Sequence, residues 1–426
     1  MNAASEKEFN HLLHRAHQLG LNRNRKFSGL LSLLKTNPAD TIVLNLLQEM
    51  ISEVEVKNLE DPNPFRLTNP NNPLFEGSIF LGNITDTKIP YLISPELLTT
   101  HMLISGKTGG GKSNLILLTL LQLIRHHTIK IFDRKFEYHC LLAYENFVYW
   151  MLKDFFINLI EPSLGVAPRL YINTFCEILG IFLDIRVAAR GLLAATIQKL
   201  CENRDSYSTG VYPTLKDVYI YLCDKKYPLM SRNARYQESI INRLDSLFCV
   251  FGNQINSQRK LDWNQFLTTN WAISLNGIPT DYQNLFITII IAKIMMYRIH
   301  NNLRSNQLVD LFVFDEASTI FKKYYDNREQ TFLLTDYLAQ AREFGSGFLI
   351  STQGLTNISN SVLTNTSLKI MTGGQGMGTD FDIFASATGM NTEQREFIRQ
   401  MTQPGKAVVR DPRYPYPFTL EVPKIV

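Results

Sequence analysis

Residues 102–124 read MLISGKTGGGKSNLILLTLLQLI, and no other stretch restricts the fold of this chain as tightly. The apolar run before the glycines reads as a buried strand, and the run from Asn114 to Ile124 as a helix. The turn between them has to bring backbone N–H groups inward, which glycine allows because it has no Cβ to clash. Gly106-Lys107-Thr108-Gly109-Gly110-Gly111-Lys112-Ser113 fits GxxxxGK[ST] at every fixed position. Four fixed positions match by chance in about one chain in a hundred of this size, and the strand before and helix after lower that further. This is a phosphate-binding loop. Lys112 is placed for the β- and γ-phosphates, the Ser113 hydroxyl for Mg²⁺, and the helix N-terminus for the same anion. Gly106, Lys107, Thr108, Gly109, Gly110, Gly111, Lys112, Ser113 and Asn114 are therefore the candidate nucleotide-binding residues, with ATP and Mg²⁺ as the expected ligands.

A loop that holds a nucleotide needs partners to act on it. Leu311-Phe312-Val313-Phe314 reads as a buried strand that releases Asp315 and Glu316 at its end. Asp315 is placed to hold a magnesium-bound water and Glu316 to polarise an attacking water as general base. Gln353 closes the following strand in Ser351-Thr352-Gln353. It is either a γ-phosphate sensor or a strand-end cap. Arg342, between a helix and a glycine turn, is either a finger offered to a neighbouring subunit's γ-phosphate or a surface arginine favoured by the helix dipole. Asp133 and Glu137, in FDRKFEY at and after the end of the second strand, TIKIFD, either orient water or Mg²⁺ or shape the loop.

Strands alternating with helices predict an α/β fold around a mostly parallel sheet. Four segments are expected: an N-terminal helical segment and linker over 1–75, a first part of the core over 76–144, a helical insertion over 145–258, and the rest of the core over 259–426. The stretch YWMLKDFFINLI at the start of the insertion is read as helix. The net charge of +4 is compatible with nucleic acid without requiring it. Cys140, Cys176, Cys201, Cys223 and Cys249 form no CxxC pair and read as small buried hydrophobes in a reducing compartment. No signal-peptide core opens the chain. The apolar run Leu285–Ala292, closed by Lys293, is too short to span a bilayer, so a cytoplasmic protein is expected.

Candidate contacts to nucleic acid are weaker. FKKYYDNREQ interleaves Lys322, Lys323, Tyr324, Tyr325 and Arg328 just after the acid pair, as either a channel loop or an exposed helix start. Arg232, Arg235 and Arg243 form a second candidate inside the insertion. Arg23, Arg25 and Lys26 in NRNRKF are read as a solvated turn or a phosphate or subunit contact.

Taken in order, LGNITDTKIPYLISPELLTTHMLISGKTGGGKSN, IFDRKFEY, LFVFDEAS, AREFGSGFLISTQ and PGKAVVRD resemble the HerA/FtsK group of P-loop ATPases. The likeness is nearer to HerA and the TraG-type coupling proteins than to FtsK and covers roughly residues 77–140 and 262–426. It implies a RecA-like core of the ASCE type and a homo-hexameric ring with double-stranded DNA through its centre. By position it also implies Lys112 and Ser113 at nucleotide and metal, Asp315 and Glu316 as the acid pair, Gln353 as sensor and Arg342 as finger in trans. The group's N-terminal barrel and the membrane helices of TraG-type proteins have no counterpart here, and the insertion is unmatched. The expected function is a DNA translocase or helicase working beside a separate nuclease or other effector, in repair or phage defence. The alternatives are a coupling ATPase of a conjugation or secretion system and a nucleotide-gated scaffold.

Overall fold

A computed structural model describes residues 12–16, 21, 25–36, 40–60, 64–65, 76–87, 89–259, 261–323, 333–373, 378–400 and 404–425. Among these residues the strands are β1 (Ile79–Ile84), β2 (Pro90–Ile93), β3 (Met102–Gly106), β4 (Thr128–Asp133), β5 (Phe147–Met151), β6 (Asn270–Ser274), β7 (Ser305–Phe314), β8 (Phe344–Thr352), β9 (Leu368–Thr372), β10 (Lys406–Arg410) and β11 (Phe418–Glu421). They form one sheet in the order β2-β1-β11-β10-β9-β3-β8-β7-β4-β6-β5. From β9 to β5 every pairing is parallel, and the other half is antiparallel.

The alternation along the strands explains the layers. Ile129 and Ile131 of β4, Leu311 and Val313 of β7, and Ile104 of β3 join one apolar cluster with Leu115, Ile116 and Leu120 of the helix Lys112–Leu123. Phe132, Phe312, Phe314 and Leu103 point the other way, into a cluster with the helices Pro168–Phe182 and Thr280–His300. The central strands are thus buried on both faces, which is why they read as continuous apolar runs.

The phosphate-loop helix is tied to the antiparallel half by Gln122, whose side-chain amide donates to the Phe80 carbonyl and accepts from its N–H, both at 2.8 Å. N-terminal residues build a further apolar cluster from Leu12, Phe27, Leu34, Leu47 and Ile51 across the helices Arg25–Thr36 and Thr41–Glu60. Asp40 caps the second of these helices through the N–H groups of Ile42 and Val43.

Two expectations need correction. The stretch YWMLKDFFINLI is not helical: its first residues finish β5, which pairs in parallel with β6, and a single 3-10 turn follows at Leu152–Asp154. Val148, Tyr149 and Trp150 are residues that pack well on a pleated sheet, and the edge position beside β6 decides for strand. The longer helices expected of this region begin only at Pro168. Among the cysteines, Cys176 and Cys201 are buried as expected, whereas Cys140, Cys223 and Cys249 are exposed. Each of the exposed three lies on the solvent side of a helical turn whose apolar neighbours already fill the core.

Candidate active site

The site forms where the parallel strands end. β3 stops at Gly106, β4 at Asp133, β7 at Phe314 and β8 at Thr352, so the loops after them meet along one edge of the sheet. Ligands of open α/β sheets sit in such a crevice. β8 lies between the loop strand β3 and the acid-bearing strand β7, which puts Gln353 between the two halves of the site.

Glycine is demanded by geometry at two of the loop positions. Gly109 and Gly111 have φ of 77° and 97°, the left-handed region, where a Cβ costs energy. A glycine outside the motif matters as well. Gly373, at φ 67°, packs so tightly that a Cβ there would lie 2.4 Å from the Gly110 Cα. The end of β9 therefore forms the floor of the loop, and the only hint in the sequence is the Gly-Gly after KIMT.

The Lys112 ammonium is nearly buried and donates to the carbonyls of Gly106 at 2.6 Å and Lys107 at 3.0 Å. Burial lowers its pKa, while Glu316 and Asp315 act in the opposite direction. The helix that starts at Lys112 receives no side-chain cap, so its first N–H groups face the loop. The Ser113 hydroxyl donates to Glu137 Oε2 at 3.1 Å. Thr108 donates its hydroxyl to Gln353 Oε1 at 3.1 Å, linking the loop to the end of β8. The Asn114 amide is engaged elsewhere: it donates to the Pro423 carbonyl and accepts from the Ile425 N–H, both at 2.8 Å. Its side chain clasps the C-terminal segment.

Asp315 is 6% exposed, and burial raises its pKa. Lys135, at 3.7 Å, and Lys112 act against that rise, while Glu137 and Glu316 add to it. Glu316 sits at φ 60°, ψ 59°, a left-handed conformation that costs a non-glycine residue about 1–2 kcal/mol. Its carboxylate accepts from Ser318 Oγ at 2.5 Å, and its carbonyl accepts from Thr319 Oγ1 at 3.0 Å.

Of the two acids after β4, only Glu137 reaches the site. Asp133 is buried and uses both oxygens nearby, accepting from the N–H groups of Lys135, Glu137 and Tyr138 in its own loop and from the Tyr149 hydroxyl of β5. It shapes the turn. Arg134, directly after Asp133, bonds to Thr319 Oγ1 and, at 2.6 Å, to Asn284 Oδ1. Burial pushes its pKa down to about 10, against the pull of Glu316 and Asp315.

Arg342 lies at the opposite end of β8. Nine strand residues separate it from Gln353, about 30 Å of chain, so it cannot reach this loop within one chain. It is exposed and close enough to the buried His101 to lower that ring's pKa. Lys322 pairs with Asp281 at 3.6 Å on the surface, and Lys323 is exposed. Tyr324, Tyr325 and Arg328 lie outside the described residues, as does Arg23. Arg232 and Arg235 are exposed, but Arg243 is spent on the Leu183 carbonyl at 2.7 Å.

A glycine loop at the end of β3, an acid pair at the end of β7 and an interposed β8 define a RecA-like P-loop core of the ASCE type. Within that class, the family profile described as "Helicase HerA, central domain" matches residues 79–294, just over half of the chain, and the chain belongs to that family. Over 308 residues it is 25% identical to the DNA double-strand break repair helicase HerA of Sulfurisphaera tokodaii, covering 70% of this chain and 59% of that protein. The protein of the same name from Sulfolobus acidocaldarius is 22% identical over 314 residues, covering 69% and 59%. The chain therefore spans less than two thirds of the curated relatives it matches. In fold it is similar to VirB4 of Thermoanaerobacter pseudethanolicus, with a TM-score of 0.61 at 14% identity over 82% of this chain and 97% of that one. It is likewise similar to the bacterial conjugative coupling protein TrwBdeltaN70, with a TM-score of 0.58 at 10% identity over 80% and 88%. Among the described residues no helix is long and apolar enough to cross a membrane.

Proposed function

We propose that this chain hydrolyses ATP and couples the reaction to movement along double-stranded DNA, as one subunit of a hexameric ring. The observation that carries the proposal is the meeting of Lys112, Ser113, Asp315 and Glu316 at one sheet edge, with Gln353 hydrogen-bonded to the loop. DNA as the track is supported by family membership and by the printed names of the curated relatives.

The chain's own groups divide the work. Loop N–H groups and the uncapped helix start bind the phosphates, while Lys112 exchanges its two carbonyl partners for phosphate oxygens. The Ser113 hydroxyl and the buried Asp315 carboxylate are hard oxygen donors suited to Mg²⁺ with retained waters. The ion, when bound, neutralises charge on the transferring phosphoryl group. Glu316 orients the attacking water and takes its proton on a carboxylate oxygen. Gln353, through Thr108, reports the state of the loop to β8. β8 runs to Arg342, and in a ring that arginine faces the nucleotide of the adjoining subunit as a finger in trans. Lys322 and Lys323 remain the contacts proposed for the DNA backbone. A nuclease or another effector, in repair or phage defence, would be a separate chain.

The test is ATP turnover by the purified chain with and without linear duplex DNA, beside Glu316→Gln and Lys112→Ala. Stimulation by duplex that both substitutions abolish is the expected result. Turnover indifferent to DNA in an intact assembly refutes the motor and leaves a nucleotide-gated scaffold.

A further inference from the structure

The region under Glu316 contains a polar cluster to which the P-loop motif assigns no role. Arg134 follows β4, Thr319 follows the acid pair, and Asn284 lies on the helix Thr280–His300 with its side chain fully buried. The Arg134 guanidinium donates one N–H to Thr319 Oγ1 and another, at 2.6 Å, to Asn284 Oδ1. Asn284 donates its own N–H₂ to the Thr319 carbonyl at 2.8 Å. Thr319 in turn donates its hydroxyl to the Glu316 carbonyl at 3.0 Å. Three segments distant in sequence thus close a ring of hydrogen bonds that ends on the backbone of Glu316.

That backbone is where positioning is needed. Glu316 is held left-handed at φ 60°, and a non-glycine residue keeps such angles only where its surroundings impose them. Among the described residues Arg134 has neutral acceptors rather than a carboxylate as its hydrogen-bond partners, although Glu316 and Asp315 both act on it electrostatically. A direct pair with Glu316 would occupy the oxygen that must accept a proton. Neutral acceptors hold the cation beside the carboxylates without pairing it directly to either. A planar fork serves acceptors on two different elements at once, which a lysine ammonium cannot reproduce in the same geometry.

We infer that Arg134 is a positioning residue that, through Thr319 and Asn284, fixes the turn from which Glu316 addresses the attacking water. The inference rests on the hydrolysis proposed above. Arg134→Met removes both hydrogen bonds at similar length, and Thr319→Val removes the relaying hydroxyl with little change of shape. For each, kcat falls about 10- to 100-fold, as expected when a reacting group shifts by roughly an ångström. KM and the affinity for a fluorescent ATP analogue stay within about twofold, because the phosphate loop is untouched. Arg134→Lys recovers part of the loss. In a Glu316→Gln background, Arg134→Met lowers the residual rate by less than about twofold, since its effect runs through Glu316.

Wild-type kcat in both Arg134→Met and Thr319→Val overturns the inference and leaves the ATPase intact. So does a loss of kcat matched by lost nucleotide affinity, which would make the cluster merely structural. Absence of Lys112-dependent turnover in the wild-type chain refutes the hydrolysis reading itself, and the inference falls with it.

Discussion

His101 should make the stability of this protein pH-dependent by an amount that follows from its surroundings. Its ring is 2% exposed at the foot of the phosphate-loop strand, the end remote from the glycine loop. Nδ1 accepts the Phe348 N–H at 3.1 Å, so the other nitrogen carries the proton and Nε2 donates to the Leu338 carbonyl at 2.7 Å. Both ring nitrogens are thus used by the neutral form, and a second proton would break the bond from Phe348. Burial, with help from Arg342, pushes the pKa down to about 4 from 6.5.

A depressed pKa means that the unfolded chain takes up a proton before the folded one does. The stabilisation is therefore complete above about pH 6.5 and is lost as pH falls toward 4. At about 1.36 kcal/mol per unit the full loss is roughly 3 kcal/mol, and about 2 kcal/mol of it is gone between pH 7.5 and pH 5. For a chain of this size that is about 2 °C in Tm. The assay is thermal unfolding of wild type and His101→Asn at steps between pH 7.5 and pH 5. The Asn amide can still accept from Phe348 but does not titrate. His101→Asn should melt lower at every pH because the Leu338 carbonyl loses its donor, yet the gap to wild type should shrink as pH falls. A gap constant across the window would show that His101 is not the titrating group and would refute the argument.

Three other outcomes are expected. Arg298 and Asp310 form a buried pair at 2.6 Å, so Arg298→Met should strand a carboxylate and cost about 3–5 kcal/mol, read as a lowered denaturation midpoint. Gly373→Ala would place a Cβ 2.4 Å from Gly110 and should weaken binding of a fluorescent ATP analogue by tenfold or more (about 1.4 kcal/mol), measured by titration. Arg342→Ala and Lys112→Ala should each be inactive alone, but mixed and reassembled they should recover part of the ATP turnover. Mixed rings pair an intact loop with an intact arginine across an interface, so no recovery in mixed rings would argue against action in trans.

Much of the site was legible because its chemistry depends on local backbone geometry. A loop that curls amides around phosphate needs glycine at Gly109 and Gly111 wherever it occurs, and their φ values of 77° and 97° bear this out. The same holds for strands buried on both faces, which need unbroken apolar runs such as Leu311–Phe314. Residues working across long separations in sequence gave no such signal. Arg134 lies in the turn after β4, and Asn284 lies inside an apolar helix 150 residues further on; nothing local pairs them. The first residues of YWMLKDFFINLI read as helix for a related reason: a short apolar run satisfies either period until a neighbouring strand is present.

The sequence by itself determined the phosphate loop, the acid pair and the α/β class, since each follows from the conformational freedom or burial of a few adjacent residues. Only the tertiary structure decided that β8 separates β3 from β7, that Asp133 shapes its turn while Glu137 faces Ser113, and that Arg342 stands about 30 Å from its own loop. Strand order and side-chain partnership are set by burying both faces of one sheet at once, a condition on the whole chain that no local stretch can express.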